Sequence, residues 1–355
     1  MKNFMPENYK ISTVDMAKEE TSAHGDDLYK YPGQIRANFS SNVWPGGMQN
    51  QLRDQIISSL ASVGSYPPPH GESVSGLLAD WLNVAPGRVM LTNGTAEAIF
   101  LIAQAYSGSV SRIVIPTFSE YERACALFGH HLQYIHEDEL TGDEMFEKGL
   151  CWICNPNNPT GKIHQRETLI RLVSQNPHCL FVIDEAYQGL ATGVDSLISS
   201  TLKFDNLLVL CSLTKMYVVP GIRVGYLVGD ERLISSMALF QPPWSVNVMA
   251  LKVVEFALHN RPFTKDQLEE YLMRSQQLQY EIDQIKGFEV VGSKMGYFLV
   301  KTLWNATELK QHLVSESGIL VRDASTFRGL SNNYIRIATQ DKSKNKILVE
   351  GLKKR

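Results

Sequence analysis

Short apolar runs and amphipathic stretches alternate from about residue 86 to 230 of the chain. The runs RVMLT, RIVIP and CLFVI are continuous in apolar side chains, as expected of strands that are buried on both faces. The stretches TAEAIFLIAQAY and QRETLIRLVSQN repeat their apolar residues at the spacing of a helix. Such alternation is typical of a mostly parallel sheet covered by helices on both faces. The sequence therefore predicts an α/β fold.

The pattern changes after residue 245. Two long helical stretches, SVNVMALKVVEFALHN and TKDQLEEYLMRSQQLQYEIDQI, are followed by strand-like segments with helical pieces between them. This order indicates a smaller α+β unit, which we expect the N-terminal segment to complete. We therefore predict a large domain over residues 48–245 and a small domain formed by residues 20–47 and 246–355.

Charge and composition limit the classes of partner. The 355 residues include 34 basic and 37 acidic side chains, and the resulting net charge of −3 favours neither nucleic acid nor an anionic membrane. The first residues lack the apolar core of a signal peptide, and no run approaches the roughly 20 apolar residues that span a bilayer. Apolar neighbours surround every cysteine, which predicts reduced, buried thiols in a cytoplasmic protein: Cys125, Cys151, Cys154, Cys179 and Cys211.

We expect no metal site and no redox cysteine pair. The C-x-x-C of Cys151 and Cys154 lies in a predicted buried strand rather than at a helix N-terminus, and no second ligand pair follows it. The adjacent His130 and His131 follow a predicted helix end without a carboxylate at ligand spacing, so we expect them at the surface.

Five polar motifs directly follow predicted strands: TNGTAE, PTFSEY, NPNNPTG, DEAY and SLTK. In parallel α/β sheets, ligands bind at the carboxyl ends of the strands. Because all five motifs belong to that edge, the sequence predicts a single site there. In TNGTAE, the free N–H groups of Thr95 and Ala96 could hold a phosphate at a helix N-terminus, although an ordinary helix cap fits the same residues. The chain contains neither of the usual glycine-rich nucleotide motifs.

Two further motifs suggest an organic cofactor. Asp184 ends an apolar strand, with Tyr187 three residues later, and such a carboxylate could keep a pyridinium nitrogen protonated or simply cap a helix. Lys215 lies in LLVLCSLTKMYVVPGIRVGYLVG, where an isolated ammonium is costly to bury. Condensation with an aldehyde would remove that cost, whereas a lysine that reaches solvent would need no partner. Ser212 and Arg223, close by, could complete a phosphate site.

These motifs together resemble a known family. NPNNPTG, DEAY, SLTK followed by PGIRVGY, and a late YIRIA are similar, in kind and in order, to the pyridoxal-phosphate (PLP) enzymes of the class I/II aminotransferase family over about residues 20 to 345. The resemblance implies the PLP-dependent transferase-like fold, with a seven-stranded sheet sandwiched by helices, and PLP as cofactor. It also implies a homodimer in which Tyr66 of GSYPPP reaches the cofactor phosphate of the neighbouring subunit.

The same resemblance implies roles for individual residues. Lys215 would bond the cofactor aldehyde, Asp184 would contact the pyridine nitrogen, and Phe118 would stack on the ring. Asn158 and Tyr187 would contact the ring oxygen. The cofactor phosphate would be bound by Thr95, Ala96, Ser212 and Arg223.

Within the family, the chain resembles the branch that contains threonine-phosphate decarboxylase of cobalamin biosynthesis and histidinol-phosphate aminotransferase. TSAHGDD, PTFSEYERA and QPPWSVNVMA are similar to segments of the decarboxylase. We therefore expect an enzyme that decarboxylates L-threonine O-3-phosphate, with a histidinol-phosphate-type transaminase of histidine biosynthesis as the alternative. The two reactions differ in which bond at the substrate Cα breaks, and the motifs leave that orientation open.

A phosphorylated amino substrate needs side chains that bind anions. Arg322 in GILVRDAS and Arg336 in NYIRIAT are candidates, because guanidinium forks suit a phosphate and a carboxylate. Asp26 and Asp27 stand where the branch tends to have Gly-Asn, and two carboxylates beside a substrate phosphate would repel it unless they point away. The N-terminal part adds two further candidates, Asn42 and His24.

Overall fold

The computed structural model of the protein describes residues 27–355, so His24 and Asp26 lie outside the described residues. The strands of the described chain are β1 Ala37–Asn38, β2 Val89–Thr92, β3 Val110–Ile115, β4 His131–His136, β5 Gly149–Cys154, β6 Cys179–Asp184, β7 Leu207–Ser212, β8 Gly225–Val228, β9 Phe288–Val291, β10 Tyr297–Thr302, β11 Ile319–Leu320, β12 Arg322–Asp323 and β13 Tyr334–Ala338. Its α-helices are α1 Asn50–Ser58, α2 Glu72–Leu82, α3 Gly94–Ala105, α4 Glu120–Leu127, α5 Arg166–Gln175, α6 Glu231–Ala238, α7 Val248–His259, α8 Lys265–Asp283, α9 Ala306–Ser317 and α10 Lys342–Lys353.

The larger sheet has seven strands in the order β2-β8-β7-β6-β5-β3-β4. β8 is antiparallel to its neighbours β2 and β7, and the other pairs are parallel. Parallel neighbours need a crossover connection, and α5 provides one between β5 and β6. The arrangement confirms the predicted α/β fold with a mostly parallel, seven-stranded sheet.

Helices cover both faces of this sheet. Successive side chains of a strand point to opposite faces. In β7, Leu207 and Val209 therefore join the core formed with α1, α2, α5 and α7, whereas Leu208 and Leu210 join the core formed with α3, α4 and α6. All four side chains are completely buried. Burial on both faces is the reason that the strand is continuously apolar in sequence.

A second layer contains the four-stranded antiparallel sheet β12-β13-β10-β9. The short N-terminal strand β1 pairs in parallel with β11 of the C-terminal part. Ala37 and Phe39, in and directly after β1, share a core with Phe298 and Ile335. The N-terminal segment thus packs with C-terminal strands, while the boundaries of the two domains at residues 47/48 and 245/246 stay a prediction.

The histidines after α4 differ in part from our expectation. His130 is buried rather than at the surface, because its ring nitrogens have partners at 2.8 Å in Ser111 Oγ and the carbonyl oxygen of Ala103. These contacts replace the hydrogen bonds that the ring loses to water. His131 is exposed and begins β4, an edge strand whose partly exposed side chains give no continuous apolar run.

Three global features complete the description. All five cysteines are buried free thiols. Within residues 27–355, no helix combines the length and the apolar character needed to cross a membrane. Over the same residues, the side chains of histidine, cysteine, aspartate and glutamate form no group of three or more suited to a metal ion.

Candidate active site

The structure brings most of the predicted site residues to one cavity. It lies at the carboxyl ends of the parallel strands and has a volume of about 540 Å³, including the part open to solvent. Nine of the residues singled out from sequence line it: Thr95, Ala96, Phe118, Asn158, Asp184, Tyr187, Ser212, Lys215 and Arg223.

One end of the cavity has the donors expected of an anion site. Gly94, the first residue of α3, has a φ of +74°, and a Cβ there would lie only 2.6 Å from Nη2 of Arg223. On β8, a Cβ at Gly225 would lie 2.9 Å from the backbone nitrogen of Thr95. The two glycines thus allow the N-terminus of α3 to approach β8 and the guanidinium closely. Ser212 adds a hydroxyl, which lies 2.8 Å from that of Thr214.

Asp184 lies deep in the cavity and is fixed by two donors. The hydroxyl of Tyr121 donates to Oδ2 at 2.7 Å, and the N–H of Ala186 donates to Oδ1 at 2.9 Å. Burial raises the pKa of Asp184, while the two hydrogen bonds and the charge of Lys215 lower it. Tyr121 was not predicted as a site residue, although PTFSEY contains it. The cavity therefore contains a buried carboxylate, Asp184, whose orientation is fixed by the phenol of Tyr121.

Lys215 is half-buried and lies in the turn that follows β7, not within the strand. Its Nζ is 6.0 Å from the centre of the Tyr187 ring. Its carbonyl oxygen accepts a hydrogen bond of 3.0 Å from the N–H of Trp44, whose ring stacks on Phe263 at 4.2 Å. The N-terminal segment therefore fixes the backbone of this lysine, while the side chain lines the cavity.

Tyr187 and Asn42 form another side of the site. Burial raises the pKa of Tyr187 to about 12, so that its phenol is neutral, and the Arg336 guanidinium and the Asn42 amide oppose that rise. Asn42 is buried, yet neither atom of its amide has a partner of good hydrogen-bond geometry within the described residues. A buried amide of this kind needs a polar partner, and a bound ligand would provide one.

Asn158 is held by contacts from both the large-sheet layer and the second layer. Nη1 of Arg336 donates to its side-chain oxygen, and Nη2 of the same arginine donates to the carbonyl of Ser40 at 2.6 Å. The preceding Asn157 donates to Glu137 at 2.9 Å and accepts from Thr117 at 2.9 Å, which immobilises the loop. Arg336 thus connects the loop after β5 to the second layer.

Arg322 and Arg336 lie directly opposite each other in the register of β12 and β13. Both are buried, with exposed fractions of 3% and 4%. Burial, and then the charge of Arg336, lower the pKa of Arg322 to about 10, which leaves it charged at neutral pH. The Arg322 guanidinium donates to Thr326 at 3.0 Å and lies 5.3 Å from the ring centre of Phe327. Two adjacent buried cations are well suited to binding anions.

The remaining predicted residues lie elsewhere. Asp27 is buried and forms an ion pair of 2.6 Å with Nζ of Lys310, so its charge has a partner within the protein. Tyr66 is 85% exposed and packs against Trp244, with 5.1 Å between ring centres, instead of lining the cavity of its own chain.

The cavity combines a lysine and a fixed carboxylate with anion donors at its edge, above a mostly parallel sheet, and these are the groups that a PLP-dependent enzyme needs. The family model described as aminotransferase class I and II matches residues 35–352, and the chain belongs to this family. The cofactor is accordingly PLP. The donors around Arg223, the Gly94 cradle and Asp184 fit the phosphate and the ring nitrogen of that group.

The chain is similar to two kinds of enzyme in the family. It is 31% identical over 340 residues to histidinol-phosphate aminotransferase of Thermoanaerobacter pseudethanolicus, with 92% of this chain and 93% of the relative covered. The solved structure of L-threonine-O-3-phosphate decarboxylase from Porphyromonas gingivalis matches with a TM-score of 0.86 and 33% identity, covering 90% and 98% of the two chains. Histidinol-phosphate aminotransferase from Sinorhizobium meliloti, solved in complex with pyridoxal-5'-phosphate, shares the fold at 18% identity, with a TM-score of 0.77 and 92% of each chain covered.

Proposed function

We propose that the protein is a PLP-dependent decarboxylase of a small phosphorylated amino acid of the L-threonine O-3-phosphate type, which places it in cobalamin biosynthesis. The observation that supports this most is the pair of buried arginines facing each other across β12 and β13, Arg322 and Arg336. A phosphorylated amino acid carries a phosphate and a carboxylate, so each guanidinium has an anion to bind. Similarity to the decarboxylase of P. gingivalis supports the same assignment.

The second candidate is a transaminase that acts on histidinol phosphate, which the identity of 31% to such an enzyme favours. Histidinol phosphate has a phosphate but no carboxylate. One arginine would then have no anionic group of that substrate to bind, although a carboxylate co-substrate could use it in the second half of the reaction. The two buried guanidiniums therefore favour the decarboxylase, whose substrate has two anionic groups.

PLP, when bound, supplies a protonated ring that stabilises negative charge at the substrate Cα. The Asp184 carboxylate keeps the proton on the ring nitrogen, and the hydroxyl of Tyr121 keeps that carboxylate in place. The amine of Lys215 would hold the cofactor in the absence of substrate and would carry the proton at Cα when substrate is bound. Phe118, which lines the cavity, would cover the ring. Asn158 and Tyr187 would contact the ring oxygen, and Thr95, Ala96, Ser212 and Arg223 would bind the phosphate; all six line the cavity.

Substrate is oriented by the groups of the second layer. Arg336 binds the carboxylate, because it also contacts Asn158 beside the ring, and Arg322 binds the phosphate. The amide of Asn42, which lies near the Tyr187 hydroxyl, adds a polar contact, and His24 is a further candidate. Holding both anions fixes which bond at Cα stands perpendicular to the ring, and that bond is the one that breaks.

We also propose that the protein is a cytoplasmic homodimer. Tyr66 is exposed and does not line the cavity of its own chain, and exposed apolar side chains precede it at Ile57, Leu60 and Val63. A second copy would cover these groups and receive Tyr66 at its cofactor phosphate. Tyr66→Phe is expected to weaken PLP retention in a dimer of unchanged size. A monomer with full activity would contradict the proposal.

Two incubations test the reaction. The PLP-loaded protein is mixed with L-threonine O-3-phosphate and assayed for released CO₂, and separately with histidinol phosphate and 2-oxoglutarate and assayed for glutamate. Release of CO₂ in the first supports the decarboxylase. Glutamate in the second without CO₂ in the first would favour the transaminase instead. Arg322→Met and Arg336→Met should each raise KM for the substrate that is used.

A further inference from the structure

The loop between β12 and β13, residues 324–333, crosses from the small sheet to the large one. Its Arg328 forms a two-pronged ion pair with Glu122 of α4, in which Nε donates to Oε2 at 2.7 Å and Nη2 donates to Oε1 at 2.5 Å. The guanidinium also lies 4.4 Å from the ring centre of Tyr134 in β4. The next residue, Gly329, lies beside the end of β3, where a Cβ would be in ordinary contact, at 3.4 Å, with Cδ1 of Ile115. The loop thus contacts three elements of the large sheet layer.

Each partner of this ion pair is next in sequence to a residue that supports the site. Glu122 follows Tyr121, whose hydroxyl holds the Asp184 carboxylate at 2.7 Å. Arg328 follows Phe327, whose ring centre lies 5.3 Å from the guanidinium of Arg322. The ion pair therefore ties the backbone that carries Tyr121, a residue of the cavity lining, to the backbone that carries Phe327, which packs beside Arg322.

The geometry of the pair suits positioning better than general stabilisation. The side chains of Arg328 and Glu122 are 48% and 30% exposed, and partly exposed ion pairs contribute little to folding stability. A fork that donates two parallel hydrogen bonds nevertheless fixes both distance and direction. Burial and the charge of Glu122 raise the pKa of Tyr134 to about 12, so its neutral hydroxyl stays available as a donor to the same carboxylate.

We propose that Arg328 and Glu122 are positioning residues that set the distance between the Arg322 guanidinium and the cofactor cavity, and thereby the affinity for the phosphate of the substrate. The inference rests on the proposed function for the role of Arg322. It adds a determinant that touches neither substrate nor cofactor. Its effect is expected in binding and KM, with little change in the way PLP is held.

The test uses the PLP-loaded, full-length protein with inorganic phosphate as the probe, titrated by calorimetry. Arg328→Met should weaken phosphate binding roughly three- to thirtyfold, the range found for residues that act through an intermediary. The visible absorbance of the bound cofactor should not change, and with substrate KM should rise more than kcat falls. Arg328→Lys keeps the positive charge but cannot donate two parallel hydrogen bonds, so its phosphate affinity should lie between those of the unmodified protein and Arg328→Met. The exchange Glu122→Arg with Arg328→Glu should restore part of the affinity.

A matched control is Arg232→Met. Arg232 also donates to two carboxylates at the surface, Asp230 at 2.8 Å and Asp205 at 3.1 Å, but it lies at the other end of the large sheet. Phosphate affinity that is unchanged in Arg328→Met, or equally weakened in Arg232→Met, would overturn the inference. Arg322→Met distinguishes failure of the proposed anion site from failure of the positioning role. If this variant binds phosphate as tightly as the unmodified protein, the proposed anion site is wrong, and the positioning role is wrong with it.

Discussion

The glycine at the start of α3 allows a sharp test of the cofactor site. Gly94 has a φ of +74°, and a Cβ there would lie 2.6 Å from Nη2 of Arg223. In Gly94→Ala, two effects therefore combine. The left-handed backbone becomes strained, and the guanidinium must move away from the N-terminus of α3. The second effect is the one that bears on the cofactor, because Arg223 is proposed to bind its phosphate.

The two effects have different sizes and different readouts. A left-handed conformation costs a non-glycine residue about 1–2 kcal/mol, which lowers the free energy of unfolding. Displacement of the guanidinium removes a charge-assisted hydrogen bond to the phosphate, worth about 1.5–3 kcal/mol. The dissociation constant of PLP should therefore rise roughly 10- to 150-fold in Gly94→Ala. Gly108→Ala is the matched control, because Gly108 has a φ of +76° and its Cβ would meet nothing within 4 Å.

The assay is a titration of each cofactor-free variant with PLP, followed by absorbance, together with urea unfolding of the same samples. We expect Gly108→Ala to lose stability while it keeps the affinity for PLP. Gly94→Ala should lose both. Equal affinity in the two variants would refute the assignment of this cradle to the cofactor phosphate, since the steric effect on Arg223 would then have no consequence for the ligand.

Three further substitutions follow from buried groups. Tyr121→Phe removes a donor that lowers the pKa of Asp184, so the acid limb of the pH–rate profile should move to higher pH, and an unmoved limb would argue against this support. Burial raises the pKa of Glu185 from 4.5 to about 7, so the folded state binds more protons and stability should fall by on the order of 3 kcal/mol as pH rises through this interval. Glu185→Gln should abolish that slope in urea unfolding at pH 5 and 8. Lys310→Met removes the nearer ion-pair partner of the Asp27 carboxylate, at 2.6 Å, and leaves Lys30 at 3.8 Å. It should therefore cost less than the loss of about 3–5 kcal/mol expected for a buried charge with no partner. Adding Asp27→Asn should recover most of that loss, and a double variant as unstable as the single one would contradict the reasoning.

The large sheet could be predicted because its strands are buried on both faces. Leu207 through Leu210 pack alternately into two cores, and this requirement makes the sequence apolar without interruption. The edge strand β4 has no such signal, since HLQYIH is largely accessible to solvent. Short strands such as β11 and β12, with two residues each, have no period that a sequence pattern could reveal. The strands that could be predicted from sequence were therefore the ones that are long and buried on both faces.

The site shows the same division between local and distant contacts. Lys215 and Asp184 could be predicted to lie at one site because each interrupts or ends an apolar stretch of sequence within a motif, and both line the cavity. The support given by Tyr121 was missed, because its partner Asp184 is 63 residues away and the phenol resembles an ordinary core residue. The ion pair of Asp27 with Lys310 spans 283 residues. Sequence suggested only that Asp26 and Asp27 would repel a substrate phosphate unless they point away, and it gave no sign of this partner.

Arg322 and Arg336 illustrate what the fold adds to chemistry that sequence had identified. Fourteen positions separate them in sequence. This spacing is as compatible with two unrelated arginines at the surface as with two arginines in one site. The antiparallel register places them directly opposite each other, both buried. Like charges in that position repel each other, and the lowered pKa of Arg322 reflects this repulsion together with burial. An anion bound beside them would be attracted by both guanidiniums at once, which is the reason that the pair suits a substrate with two negative groups.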